Sequence, residues 1–108
     1  MSKLAIWAQL KAKPGKEEEV EKFLKSAQPL AEREQGTITW YAVKMAPGSY
    51  GIFDTFADDF GRNAHLAGEI AKALSARAGE LFAEPPEIHK LEILAAKVPG
   101  VKVLHADA

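Results

Sequence analysis

The order in which the hydrophobic repeat changes along the chain constrains the fold more than any other feature. A repeat of two residues is typical of a strand, and a repeat near 3.6 is typical of a helix. Strand patterns occupy residues 3–12, 37–45, 50–56 and 88–96. Helical patterns occupy about 16–36 and about 58–78. The resulting order is β-α-β-β-α-β, with a tight Pro-Gly turn between the second and third strands.

This order predicts an α+β domain with a ferredoxin-like fold. Right-handed crossovers then give a four-stranded antiparallel sheet with both helices on one face. The length of 108 residues suits a single domain, which we place at residues 1–97, followed by a tail at 98–108.

The helical stretches contain local interruptions that shape further predictions. Pro29 lies inside the first helix and predicts a kink near Ser26 to Gln28, and Gly36 is the expected end of that helix. In the second helix, Gly68 predicts a break into two pieces. Helical spacing along this stretch is kept by Phe60, Ala64, Ala67, Ala71, Leu74 and Ala78.

Both faces of the predicted sheet carry large apolar residues. In the second strand, Ile38 and Trp40 point to one face, whereas Tyr41, Val43 and Met45 point to the other. A monomer would leave one of these faces in water as a large apolar patch, which soluble monomers rarely tolerate. We therefore predict a homodimer that closes sheet to sheet around a two-fold axis.

Composition narrows the function classes. The chain has no cysteine, a net charge of −1 and no basic stripe, so thiol chemistry and nucleic-acid binding are not expected. The apolar run at the N-terminus is too short for a signal sequence or a membrane span, and we expect a cytoplasmic protein. The three histidines do not have metal-ligand spacing, and no phosphate-binding loop is present, so no metal and no cofactor is expected.

His65 is the first candidate for a chemical site. It lies on the second helix with Gly61 and Gly68 one turn away on either side, which leaves space beside the imidazole. A histidine in such a place would act as a general base or hold a bound oxygen atom. The alternative is a structural histidine at the rim of the core that pairs with Glu69.

A set of aromatic residues is the second candidate. These side chains would line a pocket for a flat ligand, although core and dimer packing explains most of them equally well. The set comprises Trp7, Trp40, Tyr41, Phe53, Phe56, Phe60 and Phe82. The polar Asn63 is close to His65 in sequence and is a further candidate for ligand binding.

The segment Phe53–Asp59 running into Ala64–Ala67, with its His-Leu pair, resembles the antibiotic biosynthesis monooxygenase family of the dimeric α/β barrel superfamily. The turn at 13–17 and the start of the second strand at 35–37 resemble it as well. The resemblance covers about residues 3–96. It implies a ferredoxin-like homodimer.

Some members of this family oxidise aromatic phenols or quinols with O₂ and without a cofactor. The resemblance therefore implies that His65 is the base or holds the substrate oxygen, and that Trp40, Phe53 and Phe82 are pocket walls. A second histidine that many relatives carry a few residues later is absent, and so is the asparagine that haem-degrading relatives need on the first strand. The alternatives are a non-catalytic dimeric binding or stress-associated domain and, less favoured, a haem-binding protein.

Overall fold

A computed structural model describes residues 2–99 and confirms the predicted α+β, ferredoxin-like order of elements. The elements are β1 Leu4–Lys11, α1 Glu17–Glu32, β2 Thr37–Ala46, β3 Ser49–Phe56, α2 Asp59–Leu66, α3 Glu69–Leu81 and β4 Glu87–Glu92. The last strand is shorter than the predicted 88–96. Most of the predicted tail at 98–108 lies outside the described residues.

The four strands form one antiparallel sheet in the order β2-β3-β1-β4. The register pairs Ala8 with Ile52 and Ile6 with Asp54, so these side chains share one face. This face carries the main core, in which the sheet residues Leu10, Tyr50 and Ile52 pack with side chains of the helices. We call it the helix face. Trp40, opposite Asp54 in the register, belongs to it as well.

Helix α1 ends earlier than predicted. Its last residue is Glu32, and Arg33 is its C-cap, so Gly36 does not end it. Gly36 instead lies against the backbone of Gly61: a β-carbon on Gly36 would come within 2.8 Å of the Gly61 α-carbon. Glycine is needed at this contact because any side chain there would push α2 away from the loop after α1.

The predicted break at Gly68 is confirmed, since α2 and α3 are separate helices on either side of it. The residues of α2 that keep the helical spacing are not the ones that face the core. Phe60 is 84% exposed and Ala64 is exposed, whereas Gly61 and His65 are buried. Helical spacing identified the apolar stripe, but the close approach of Gly61 to Gly36 turns a different stripe toward the sheet.

The face of the sheet opposite the helices, the outer face, exposes several large apolar side chains. Those more than a third exposed are Tyr41, Val43, Met45 and Leu91. The positions of Tyr41, Val43 and Leu91 follow from the two-residue alternation of β2 and β4, whereas Met45 lies at an irregularity in the register between Lys44 and Ala46. Among the helices of the described residues, none is long and apolar enough to cross a membrane.

Candidate functional site

The side chain of His65 lies inside the protein between two carboxylates. Its Nδ1 donates a hydrogen bond of 2.6 Å to Glu34 Oε1, and its Nε2 lies 2.9 Å from Asp54 Oδ2. The second contact is close but poorly aligned for a hydrogen bond, so we describe it as an ion pair. Asp54 is 0% exposed and His65 is 8% exposed. Both ring nitrogens therefore have partners, and neither partner is the expected Glu69.

Three different elements bring these side chains together. Asp54 points to the helix face from the middle of β3, and His65 comes down onto it from α2. The start of α2 is held by Asp58, whose side chain accepts a hydrogen bond from the backbone N–H of Gly61 at 3.0 Å. Glu34 lies in the turn between α1 and β2. His65 thus links the second helix to the sheet and to the end of the first helix.

The carboxylates set the protonation state of His65. Burial alone would lower the pKa of the imidazole, because it disfavours the charged form. The close negative charge of Asp54, and then the hydrogen bond and charge of Glu34, outweigh burial and raise the pKa of His65 to about 9. At neutral pH the ring is therefore an imidazolium, which cannot act as a general base.

Each carboxylate keeps at least one buried oxygen with no hydrogen-bond partner among residues 2–99. These atoms are Glu34 Oε2 and both oxygens of Asp54, of which Oδ2 forms the ion pair with His65. By contrast, Glu34 Oε1 accepts both from His65 and from the Thr37 hydroxyl, the latter at 2.7 Å. A buried, unpaired carboxylate oxygen is costly in a folded protein, so Glu34 Oε2 would gain from a hydrogen-bond donor.

A cavity of about 260 Å³ opens beside this cluster. It lies between the turn after α1 and the two short helices, and Glu34 and His65 are both in its wall. Gly36, Gly61 and Gly68 also line it, so the absence of three side chains contributes to the space. The space expected beside His65 from its glycine neighbours is present in the structure.

The other residues predicted to bind a ligand do not line this cavity. Phe82 is 3% exposed and packs in the main core, and Phe53 lies on the outer face between Trp7 and Tyr41 of the neighbouring strands. The Asn63 side chain is exposed on α2. Trp40 is on the helix face, where it lines a different groove.

Sequence reasoning missed Asp54 and Glu34 as partners of His65. One feature of the sequence could have identified Asp54. It alternates along its strand with the apolar Ile52 and Phe56, so it points to the same buried face as they do. A charged residue in a buried phase must have a partner. Glu34 carried no comparable signal, because it lies in a polar run at the end of a helix. Among the described residues, no group of His, Cys, Asp and Glu side chains could hold a metal ion.

Comparison with known proteins gives several similar solved structures. The NE2512 protein of unknown function from Nitrosomonas europaea is 53% identical, over 93% of this chain and 97% of that one, with a TM-score of 0.90. A candidate antibiotic biosynthesis monooxygenase from Caulobacter crescentus is 26% identical over 87% of this chain and 92% of that one, with a TM-score of 0.72. Rv0793 from Mycobacterium tuberculosis, 18% identical over 90% of this chain and 100% of that one, shares the fold with a TM-score of 0.79. No protein-family model and no curated protein matches the chain.

Proposed function

We propose that the chain, which shares its fold with solved structures described as candidate antibiotic biosynthesis monooxygenases, is a cofactor-independent monooxygenase acting on a small aromatic phenol or quinol. The observation that carries the proposal is the buried Asp54–His65–Glu34 cluster beside an open cavity. Such a cluster combines an imidazolium with a carboxylate oxygen that lacks a partner.

In this proposal Glu34 accepts the proton of the substrate hydroxyl. Its Oε2 has no partner among residues 2–99, and its other oxygen is occupied by His65 and Thr37. A phenol hydroxyl that enters the cavity would donate to Oε2 after a small rotation of the Glu34 carboxylate exposes this buried atom. Proton transfer from a phenol to a carboxylate is unfavourable in water, so the site must stabilise the aryl oxide that forms.

His65 supplies that stabilisation through its charge. With a pKa of about 9 it is positively charged at neutral pH, and its position is fixed by two carboxylates. A fixed positive charge beside a developing oxyanion lowers the free energy of the anion, and it does so more strongly away from bulk water. The role of His65 is thus to stabilise and position, and Asp54 holds the imidazolium in place.

The electron-rich aryl oxide is the species that reacts with oxygen. It transfers one electron to O₂, and the aryl radical and superoxide combine to form a carbon–oxygen bond. Loss of one water molecule then leaves a carbonyl at a ring carbon that previously carried hydrogen. A phenol and one O₂ thus give a quinone and one water, so that atoms and electrons balance without an external reductant.

Oxygen uptake with a panel of phenols and quinols tests this proposal. We expect turnover in the wild type and a decrease of at least about 100-fold in Glu34→Gln, since general-base catalysis contributes on that order. Glu32→Gln is the matched control, because Glu32 is the last residue of α1, two positions before Glu34, is exposed and does not line the cavity. Equal rates in Glu34→Gln and the wild type would remove Glu34 from the mechanism, and absence of uptake with every compound would refute the enzyme proposal.

A non-catalytic binding domain is the second candidate. It is favoured by one observation: both nitrogens of His65 are already bound to side chains of the protein. In that case the cluster only fastens α2 to the sheet, and substitution of Glu34 would lower stability without affecting any reaction. A haem-binding role fits less well, because an imidazole ligand needs a free ring nitrogen. A change in the hemin absorption spectrum on addition of the protein would contradict this reasoning.

We also propose that the chain forms a homodimer through the outer face of the sheet. The exposed apolar side chains on that face support this, since a monomer would leave them in contact with water. Sedimentation analysis should give a dimer for the wild type and a monomer for Met45→Glu. The control is Phe60→Glu, which changes an equally apolar, 84% exposed residue on α2 and should remain a dimer. The cytoplasmic location stays a prediction.

A further inference from the structure

A second, larger groove lies between α1 and the edge strand β2, with a volume of about 550 Å³. It shares no lining residue with the cavity beside His65. Its walls include Leu24 and Gln28 from α1 and Trp40 and Ala42 from β2. The volume falls within the range of small-molecule sites, roughly 300 to 1,000 Å³. We call it the α1–β2 groove.

Trp40 leaves a buried donor unused at this groove. Its ring nitrogen Nε1 is buried and has no acceptor within residues 2–99. A smaller cavity of about 270 Å³ lies next to the α1–β2 groove, and only Gln28 and Trp40 line both. The Trp40 side chain thus lies between the α1–β2 groove and the smaller cavity. Buried indole N–H groups in proteins usually have a partner, and its absence here is explained if a ligand supplies the acceptor.

The charges around the groove favour an anionic ligand. Glu21 is its one acidic side chain, and the Glu21 carboxylate already accepts from the Tyr50 hydroxyl at 2.7 Å and contacts Lys44 Nζ at 3.0 Å. Lys25 also lines the groove and forms no ion pair with any side chain of residues 2–99. One positive charge is therefore left without an opposite charge.

We propose that the α1–β2 groove binds a planar aromatic carboxylate. The flat part of the ligand would lie against the indole of Trp40 and the apolar side chain of Leu24. Its carboxylate would accept from Lys25, and from Trp40 Nε1 once the indole turns enough to expose this buried atom. This site is separate from the cavity beside His65, so the inference does not depend on the proposed oxidation.

Titration with 2-naphthoate, followed by the indole N–H resonances of the protein, tests the proposal. The chain has only two tryptophans, and Trp7 serves as an internal reference because its ring packs over Gly51 on the outer face. Trp40→Phe assigns the two signals, because only Trp7 then remains. We expect saturable shifts of the Trp40 signal and none of the Trp7 signal.

Two variants separate the contributions of charge and hydrogen bonding. Lys25→Gln should weaken 2-naphthoate binding by about threefold to fivefold, as expected for an exposed ion pair, and should not change binding of the neutral 2-naphthalenemethanol. Lys22→Gln is the matched control, since Lys22 is an exposed lysine of the same helix that does not line the groove. Trp40→Phe keeps an aromatic wall and removes the donor, and it should weaken binding by about fivefold to tenfold.

Three results would overturn the proposal. One is the absence of any Trp40 shift at millimolar 2-naphthoate. Another is an equal shift of both indole signals, which would indicate non-specific association. The third is an equal loss of affinity in Lys22→Gln and Lys25→Gln, which would show that only the overall charge of the helix attracts the ligand.

Discussion

The buried cluster predicts an unusual dependence of folding stability on pH. In the native state the pKa of His65 is about 9, whereas a histidine in an unfolded chain has a pKa of about 6.5. The native state therefore holds the proton more tightly than the unfolded state. The resulting stabilisation is fully present below about pH 6.5 and is lost as the pH rises through about 9.

The magnitude follows from the two pKa values. One pKa unit corresponds to about 1.4 kcal/mol, so the difference between about 9 and 6.5 corresponds to ~3 kcal/mol. Across this window the free energy of unfolding should fall by at most about 1.4 kcal/mol per pH unit. This is large relative to the total stability of a small domain, which is about 5 to 15 kcal/mol.

Urea unfolding at a series of pH values from about 6 to about 10 measures this slope directly. His65→Gln removes the titrating group and should abolish the slope. It should also lower stability at pH 7, because it leaves the fully buried Asp54 without a positive partner. His89→Gln is the matched control: His89 is exposed, and its polar contact within residues 2–99 is with the exposed Glu87, so its replacement should leave the slope unchanged.

Two outcomes would contradict this reasoning. If the wild type and His65→Gln lose stability in parallel from pH 6.5 to 9, the imidazolium does not hold the cluster together. If titration of the imidazole by NMR gives a native pKa near its ordinary value, Asp54 and Glu34 do not act on it as the geometry implies.

Further predictions concern the same region. Asp54→Asn should lower the pKa of His65, because it removes the adjacent buried negative charge, and NMR titration of the imidazole will measure the change. Gly61→Ala should destabilise the protein by ~1 to 3 kcal/mol in thermal or urea unfolding, because its β-carbon would lie 2.8 Å from a backbone carbonyl oxygen of the loop after α1. Gly79→Ala, in open space on α3, should instead stabilise it by up to ~1 kcal/mol, and a loss of stability there would refute the distinction between the two glycines.

Local patterns in the sequence were sufficient for the secondary structure and its order. The alternation in β1 and the helical repeat in α1 report which face of each element is apolar, and the Pro-Gly turn joins β2 to β3. The break at Gly68 could be predicted for the same reason, because glycine weakens a helix wherever it occurs. The end of α1 could not, since Gly36 is required by a contact with another element and not by the helix itself.

The rotation of α2 was also beyond sequence patterns. An apolar stripe and a stripe of Gly61 and His65 compete for the sheet, and the apolar stripe is the expected choice. Gly61 packs closely on Gly36, and His65 pairs with the carboxylates of Asp54 and Glu34. These contacts favour the stripe of Gly61 and His65 as the buried face. Phe60 is left in water as a result.

For His65, the sequence by itself determined that a titratable ring lies on a helix with a glycine one turn away on either side. Only the tertiary structure decided its partners and its charge. Asp54 and Glu34 are 11 and 31 positions away along the chain, and their effect on the imidazole depends on distances of 2.9 and 2.6 Å. Electrostatic interactions in a buried site act over a few ångströms of space, whereas sequence patterns report only neighbours along the chain. The sequence therefore identified the histidine as a candidate site residue, but its protonated state could be inferred only from the tertiary structure.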